Sequence, residues 1–342
     1  MMQESELDYR PSPTPAQGLR AWIISDGKAG HLAITTGVAE AMGLNYKVIP
    51  VAPRGLRRIF APWAPVSPAK RPGAATSPFR PPWPDFVFAA GRTTIPYLRA
   101  IHWAAFGQTF TVAFQDPRMG ARTADLIWAP AHDKLRGDNV INTVTAPHGF
   151  SQEKLAALAA RPPVEIAALK RPRIAVLIGG PSAAYAFTSA DAARFERLLA
   201  SASRLGASFM MTGSRRTPHE FMARAEAAIA SAPHVISRNS GENLYPHFLA
   251  SADVFLVTAD SVNLSGEAAA TGKPIHIFHP SGGKAKFERF HSALTALGST
   301  RNAPDVFSSL DGWTYNPVQA ASTVAAEILR RWEDNKASMA AK

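Results

Sequence analysis

The sequence predicts an α/β protein with two open domains, each built on a parallel sheet. Short apolar runs of strand length alternate with amphipathic stretches of helix length in two successive series, which is the pattern of repeated βαβ units. Arg161-Pro-Pro163 separates the two series and is interpreted as a hinge. The 342 residues also correspond to about two domains.

The first series forms the predicted N-terminal domain, residues 19–160, which follows a polar, proline-bearing tail at 1–18 that we expect to be loose. Its predicted strands cover 21–25, 46–51, 86–90, 110–114, 125–129 and 140–145. Its predicted helices cover 32–42, 93–106 and 151–158. An insertion at 52–84 holds nine prolines from Pro53 onward, which forbid a long helix or a central strand through most of it.

The second series forms the predicted C-terminal domain, residues 161–315. Its predicted strands cover 173–178, 207–212, 235–237, 254–258 and 274–278. Its predicted helices cover 189–205, 219–230, 243–250, 266–271 and 287–297. Residues 316–342 are predicted to form a last amphipathic helix, ending near Trp332, and a tail.

The composition excludes several classes of site. The chain has no cysteine, which excludes disulfides, thiolate zinc sites, iron–sulfur clusters and a cysteine nucleophile. The histidines form no His-x-x-x-His pair and the acids form no cluster at ligand spacing, so we expect no metal and no cofactor. Apolar runs are too short to span a bilayer, and the N-terminus has acids and no apolar signal core. A cytoplasmic protein is expected.

The positive charge is concentrated in the insertion. The chain carries a net charge of +11, and residues 52–84 contain six basic residues and no acid. Such a field attracts anions, either lipid head groups or phosphorylated molecules. Five candidates for contact with an anionic membrane combine arginines with large apolar groups: Arg54, Arg57, Arg58, Phe60 and Trp63. A solvated insertion with a few packed aromatics would explain the same residues. No nucleic-acid-binding module is recognised, so no nucleic-acid partner is expected.

Two domains of this kind are expected to face each other across a cleft lined by the carboxyl ends of their strands, where ligands bind as a rule. On the N-terminal side, a loop with two glycines and a lysine, 26–31, connects the first strand to a helix and suits a phosphate or a sugar, although an ordinary βα turn would look the same. Candidate acceptor-side residues follow the strands: Gly27, Lys28, Gly30, Gly91, Arg92 and His132. The candidate general bases are Asp26, His31 and Asp116, and the sequence does not choose among them.

The C-terminal strand ends suggest the binding of a nucleotide-activated donor. Glycines follow one strand, a Ser-Arg-Arg-Thr loop follows the next, and a polar loop leads into a short Ala-rich helix after a third. The candidate donor-binding residues are Gly179, Gly180, Ser182, Ser214, Arg215, Arg216, Asp260, Ser261, Asn263, Ser265 and Glu267. Glu267 is expected to accept hydrogen bonds from a ribose, although an acid in the first turn of a helix also complements the helix dipole.

These motifs together resemble the mitochondrial-fission Elm-like family, which is largely bacterial with a plant branch. The resemblance rests on an ordered set of strand-end motifs over residues 20–335: DGKAGH at 26–31, GRTT at 91–94, QDPR at 115–118, PAHD at 130–133, IGGPS at 178–182, TGSRRTP at 212–218 and TADSVN at 258–263. It implies a GT-B glycosyltransferase-type fold with two Rossmann-like domains. In the plant branch it implies recruitment of a fission dynamin to mitochondria.

We therefore expect a metal-independent glycosyltransferase that moves a sugar from a nucleotide-activated donor to an envelope glycolipid or a related acceptor. Such an enzyme would work in the cytoplasm, as a peripheral protein on the inner face of the cytoplasmic membrane. The alternative is a catalytically silent scaffold that recruits a partner to a membrane. An epimerase would need a dinucleotide fingerprint and a Tyr-x-x-x-Lys pair, and the sequence has neither.

Overall fold

The computed structural model describes residue 16, residues 18–238 and residues 243–340. The predicted N-terminal tail therefore lies almost entirely outside the described residues. The chain divides into two compact units: residues 1–149 together with 319–342, and residues 150–318. Each unit contains one parallel β-sheet flanked by helices, so the predicted fold class of two Rossmann-like domains is confirmed.

The first unit contains a parallel sheet of six strands in the order β2-β1-β3-β4-β5-β6. The strands are β1 (Arg20–Ser25), β2 (Asn45–Pro50), β3 (Phe86–Ala90), β4 (Phe110–Phe114), β5 (Leu126–Pro130) and β6 (Val140–Thr143). The helices are α1 (Ala29–Ala41), α2 (Leu56–Ile59), α3 (Ile95–Ala104) and, at the end of the chain, α11 (Ala320–Ala340). The direction in which strands are added reverses between β1 and β3, so the topological switch point lies there.

Both faces of this first sheet are covered, as parallel strands require. On one face, Ile34 and Val38 of α1 join Val324 and Ile328 of α11 in a cluster with the strand side chains. On the other face, α3 packs together with Phe79 from the proline-rich insertion, which is completely buried. The insertion thus contributes to the core even though it contains no long helix or strand.

The second unit contains a parallel sheet of six strands in the order β12-β11-β10-β7-β8-β9, which is the Rossmann order 3-2-1-4-5-6 read from the opposite edge. The strands are β7 (Arg173–Ile178), β8 (Ser208–Gly213), β9 (His234–Ser237), β10 (Val254–Thr258), β11 (Ile275–Phe278) and β12 (Thr300–Asn302). The helices are α4 (Gln152–Ala160), α5 (Val164–Ala167), α6 (Ser189–Arg204), α7 (His219–Ile229), α8 (Tyr245–Ser251), α9 (Val262–Ala269) and α10 (Ala285–Ala296). The switch point of this sheet lies between β7 and β10.

The structure places three features differently from the sequence analysis. The unit boundary falls after Gly149 rather than at the predicted hinge, because α4 packs against α8 of the second unit. The last helix packs against α1 of the first unit. Helix α9 begins at Val262 and not at 266, because the Ser261 side chain caps it by accepting from the Leu264 N–H. Within the described part of the chain, none of the helices is long and apolar enough to span a membrane.

Candidate functional site

The switch point of the second sheet brings the carboxyl ends of β7 and β10 side by side. Val254–Val257 pair in register with Ile174–Leu177, so the residues that follow the two strands must meet. The Gly179 N–H donates to Thr258 Oγ1 at 2.8 Å, and the Gly180 N–H donates to Asp260 Oδ2 at 2.8 Å. Ligands of open α/β sheets bind at such a crevice, and this edge of the second unit is therefore the candidate donor site.

Asp260 is the buried centre of this edge. Its carboxylate also accepts from the Thr258 hydroxyl at 2.7 Å and lies 3.6 Å from the Arg216 guanidinium. Burial raises the pKa of Asp260, and the hydrogen bonds and the arginine act in the opposite direction. Through these contacts Asp260 holds the loops in place, and its predicted contact with a donor stays a prediction.

The two glycines after β7 are required by close packing. A Cβ on Gly179 would lie 2.2 Å from Asp260 Oδ2, and one on Gly180 would lie 2.4 Å from the backbone of Arg216. Both amides already donate within the chain. The structure thus gives these glycines a packing role, while the predicted close approach of a donor to them stays a prediction.

The predicted pair Arg215 and Arg216 divides into two different environments. The Arg216 guanidinium donates to the carbonyls of Gly180 and Pro181 and reaches Asp260, so it ties two loops together. Arg215 is exposed at the same loop. The hydroxyl of Ser214 accepts from the Arg216 N–H and pairs with Thr217 Oγ1, so it shapes the turn. Arg216 is exposed as well, so contact of either arginine with a phosphate stays a prediction.

The N-terminus of α9 follows β10 at the same edge. The Ser261 hydroxyl caps the Leu264 N–H, which leaves the amides of Val262 and Asn263 without intrahelical partners. Such amides, aided by the helix dipole, favour an anion. Asn263 is exposed, whereas Ser265 is completely buried and its hydroxyl has no partner among the described residues. A role for Ser265 in contacting a donor stays a prediction.

Glu267 lies on α9 and contacts a residue that the sequence analysis did not identify. The Tyr245 hydroxyl, from α8, donates to Glu267 Oε2. Burial raises the pKa of Glu267 to about 7, and the hydrogen bond from Tyr245 acts in the opposite direction. Nothing in the sequence links two residues on different helices, so Tyr245 could not have been found from it.

A second loop that the sequence analysis missed lies after β11. Ser281 donates its N–H to Asp191 Oδ2 at 3.1 Å, and Gly282 pairs with Tyr185 in an isolated bridge. A Cβ on Gly282 would lie 2.5 Å from the Ala184 carbonyl oxygen. The predicted donor residue Ser182 belongs to the same turn, since its hydroxyl accepts from the Ala184 N–H at 3.1 Å. The sequence signal for this loop was a Ser-Gly-Gly run that follows the end of β11 after two intervening residues.

The switch point of the first sheet brings four predicted residues together. His31 Nδ1 lies 3.1 Å from both carboxylate oxygens of Asp26, and the Lys28 ammonium lies 3.6 Å from Oδ2. Gly91, at the end of β3, has φ +86°, and a Cβ there would lie 2.5 Å from the imidazole. With Nδ1 donating to the carboxylate, His31 Nε2 carries the lone pair that a general base needs. The pair has the geometry of a general base beside an orienting acid, and which of the three candidate bases acts stays a prediction.

The remaining candidates of the first unit lie in different environments. Asp116 is exposed and accepts from the Arg118 N–H at 2.7 Å, which makes it a turn residue in this structure. Arg92 is exposed and donates to the Ala61 carbonyl at 3.5 Å, whereas His132 is buried. Two further candidates lie at the start of α1: Gly27 in the turn before it and Gly30 in its first turn. Their predicted contacts with an acceptor stay predictions.

The loop after β4 carries backbone strain that the sequence analysis did not anticipate. Gln115 has φ +74° and Arg118 has φ +58°, and neither residue is glycine. Such left-handed conformations cost about 1–3 kcal/mol each and are found at functional sites. The QDPR motif thus combines a turn with two strained residues, and it follows β4, the strand next to β3.

The proline-rich insertion presents an apolar and cationic surface, here called the insertion patch. Four large side chains are between 57% and 69% exposed: Leu56, Ile59, Phe60 and Trp63. Three arginines in the same segment are also exposed: Arg54, Arg57 and Arg58. The segment is tethered to the candidate acceptor side by the hydrogen bond between Arg92 and the Ala61 carbonyl.

Comparison with known proteins identifies the family. The family model described as "Mitochondrial fission ELM1" matches residues 29–332. The chain belongs to this family. Mitochondrial fission protein ELM1 of Arabidopsis thaliana is 28% identical over 271 residues, 72% of this chain and 64% of that protein. "Uncharacterized protein RP120" of Rickettsia prowazekii is 30% identical over 161 residues, 46% of this chain and 45% of that protein. This ELM1-family chain thus spans less than two thirds of the length of either relative.

Solved structures similar to this ELM1-family chain include UDP-GlcNAc 2-epimerases, but the similarity is remote. UDP-GlcNAc 2-epimerase of Methanocaldococcus jannaschii is 9% identical with a TM-score of 0.48, covering 91% of this chain and 100% of that one. MurG of Acinetobacter baumannii is 13% identical with a TM-score of 0.45, covering 92% and 91%. At these values the similarity says nothing about the reaction of this chain.

Among the described residues no group of His, Asp and Glu could hold a metal ion.

Proposed function

We propose that this protein is a metal-independent glycosyltransferase that moves a sugar from a nucleotide-activated donor to a glycolipid or a related acceptor of the cell envelope. The observation that carries the proposal is the carboxyl edge of the second sheet. There a carboxylate, Glu267, follows the open N-terminus of α9 at the switch point of a Rossmann-ordered unit. A nucleoside diphosphate requires an acid that accepts hydrogen bonds from the ribose and backbone amides that donate to the phosphates.

On the donor side, charge complementarity assigns the roles. The amides of Val262 and Asn263 would bind a phosphate, and Arg215 would neutralise the charge that develops on the leaving diphosphate. Asp260 and Arg216 would hold the surrounding loops, since their polar atoms are already paired with each other and with backbone groups. Preorganised cationic and N–H groups of this kind stabilise a leaving group by electrostatics.

On the acceptor side, His31 Nε2 would take the proton of an acceptor hydroxyl. The hydroxyl oxygen would form a bond to the anomeric carbon of the sugar, while the bond from that carbon to the donor phosphate breaks and the nucleoside diphosphate leaves. Asp26 would stabilise the resulting imidazolium, because its carboxylate faces Nδ1 at 3.1 Å. Because Gly91 has no Cβ, the imidazole has room to pack against its backbone in this position.

The test is binding of nucleotides followed by turnover. We expect at least one nucleoside diphosphate to raise the melting temperature of the purified protein, and Glu267→Ala to abolish that shift. Glu165→Ala, which alters an exposed acid in the first turn of α5, is the matched control and should leave the shift unchanged. A protein that responds to no nucleoside diphosphate or nucleotide sugar would refute the donor site.

We also propose that the insertion patch attaches the protein peripherally to an anionic membrane, on the inner face of the cytoplasmic membrane. Exposed aromatic and aliphatic groups would enter the interface while arginines meet lipid phosphate. In flotation assays we expect binding to vesicles with anionic lipid at low salt and release at high salt. Trp63→Ser should weaken binding, whereas Trp103→Ser, which removes an even more exposed tryptophan on α3, should not. Binding that is indifferent to salt and to lipid charge would refute the proposal.

The second candidate function is a silent scaffold that recruits a partner to a membrane, and the family match favours it. The relative in Arabidopsis thaliana is named as a mitochondrial fission protein. Both functions would use the insertion patch, so the donor site separates them. Wild-type behaviour of Glu267→Ala in cells, together with no nucleotide response in vitro, would favour the scaffold over the enzyme.

A further inference from the structure

The hydrogen bond between Tyr245 and Glu267 occupies part of the proposed ribose site. The two residues come from different helices, α8 and α9, and the tyrosine hydroxyl donates to Glu267 Oε2. No partner of the second oxygen, Oε1, is found among the described residues. The two carboxylate oxygens therefore differ: Oε2 accepts a hydrogen bond from Tyr245, and Oε1 accepts none from the described residues.

Tyr245 is held in this position from several sides. Its ring meets the Phe150 ring edge-on, with 6.0 Å between the centroids, and its backbone N–H donates to Asn243 Oδ1 at 3.2 Å. Lys154 lies over the Phe150 ring at 5.8 Å from the centroid. Among the described residues no cation forms an ion pair with Glu267. The tyrosine hydroxyl is thus the neighbour that stabilises the charged form of the carboxylate.

We propose that Tyr245 stays on Glu267 when a nucleotide binds, so that Glu267 accepts a single ribose hydroxyl through Oε1. This inference rests on the proposed function. When a carboxylate holds both hydroxyls of a ribose in a bidentate arrangement, each oxygen faces one hydroxyl, whereas here Oε2 already accepts from Tyr245 and only Oε1 is without a protein partner among the described residues. Displacing a hydroxyl that donates to a charged, half-buried acceptor is costly, because hydrogen bonds to ionised groups are about twice as strong as neutral ones. Tyr245 is accordingly a positioning residue that sets how the sugar is recognised.

The consequence is an asymmetric response to deoxy analogues. Removing the hydroxyl that reaches Oε1 should weaken binding by about 10- to 100-fold, the value for a hydrogen bond to a charged group. Removing the other hydroxyl should change the dissociation constant by less than about threefold, since it would lose no bond to the protein.

The experiment uses isothermal titration calorimetry on the full chain. The tightest binder among ADP, GDP, CDP and UDP is compared with its 2′-deoxy and 3′-deoxy forms. In the wild-type protein we expect one analogue to weaken and the other to match the parent. In Tyr245→Phe the released Oε2 becomes available, so both analogues should weaken relative to the parent. Tyr315→Phe, which removes a hydroxyl that donates to the Lys273 carbonyl in the same unit, should behave as wild type.

A pH series gives a readout that a purely structural role would not move. Affinity should rise with pH as Glu267 ionises, and the midpoint should move to higher pH in Tyr245→Phe, because the lost donor no longer favours the carboxylate. An unchanged midpoint in a folded Tyr245→Phe protein would overturn the positioning role. If this variant does not fold, the two analogues on the wild-type protein decide the question.

The outcomes separate this inference from the proposed function. Equal weakening by both analogues in the wild-type protein would mean that Tyr245 is displaced, which overturns the inference and leaves the donor site intact. If neither analogue weakens, Glu267 does not hold the ribose, and the inference fails. Absence of binding by every nucleoside diphosphate would refute the proposed function and the inference with it.

Discussion

Replacing Gly179 with alanine tests the packing at the carboxyl edge of the second sheet. The added Cβ would lie 2.2 Å and 2.4 Å from the two carboxylate oxygens of Asp260, so the carboxylate must move. Overpacking of this kind costs about 1–3 kcal/mol. Moving the carboxylate also breaks the hydrogen bond from the Gly180 N–H, and a hydrogen bond to a charged group is worth about 1.5–3 kcal/mol. Gly179→Ala should therefore lower the free energy of unfolding by about 2.5–6 kcal/mol.

The assay is urea denaturation of four proteins that form a double-mutant cycle: wild type, Gly179→Ala, Asp260→Ala and the double variant. Once the carboxylate is absent, the alanine at 179 has no oxygen to collide with and no hydrogen bond left to break. The double variant should therefore be only slightly less stable than Asp260→Ala alone, and the two single effects should not add. Strict additivity would refute the reasoning, because it would mean that the two positions do not act through each other.

The remaining predictions concern catalysis, charge and pH. His31→Gln should lower turnover by about 100-fold or more while leaving nucleotide affinity unchanged, as measured by kinetics and calorimetry in parallel, and Asp26→Asn should lower it less. Arg215→Gln should weaken diphosphate binding and reduce its dependence on salt, as seen in titrations at two salt concentrations, whereas Arg216→Gln should mainly lower the melting temperature. Burial lowers the pKa of His291 to about 4. Because the unfolded imidazole already binds its proton below about pH 6.5, the free energy of unfolding should decrease by up to about 3 kcal/mol as the pH falls from about 6.5 to about 4. His291→Gln should reduce that loss, as measured by denaturation at several pH values.

Much of the fold could be predicted from the sequence because parallel strands buried on both faces are nearly continuous apolar runs. The apolar runs Ile174–Ile178 and Val254–Val257 predict strands in this way, and both lie in strands of the structure. The start of α9 could not be predicted in the same manner. Its first turn is polar, and a polar stretch of this kind predicts a loop. The structure shows a helix there because the Ser261 hydroxyl accepts from the Leu264 N–H and caps it.

The candidate site was predictable by position but only partly by role. The strand-end rule located Asp260, Arg216 and Glu267, because it depends on topology alone. It could not show that Asp260 and Arg216 are occupied by each other and by backbone groups, since that depends on three-dimensional packing. It could not find Tyr245 either, because the partner of Glu267 lies 22 residues away on another helix.

The return of α11 to the first unit has a consequence for the order in which the chain matures. Val324 and Ile328 complete the cluster around Phe86 and Phe88, yet they follow the whole of the second unit in the chain. During synthesis the first unit would emerge with that apolar surface uncovered, and it could close only after the last segment leaves the ribosome. The second unit, which is continuous from 150 to 318, has all of its own core earlier and is the part able to fold first.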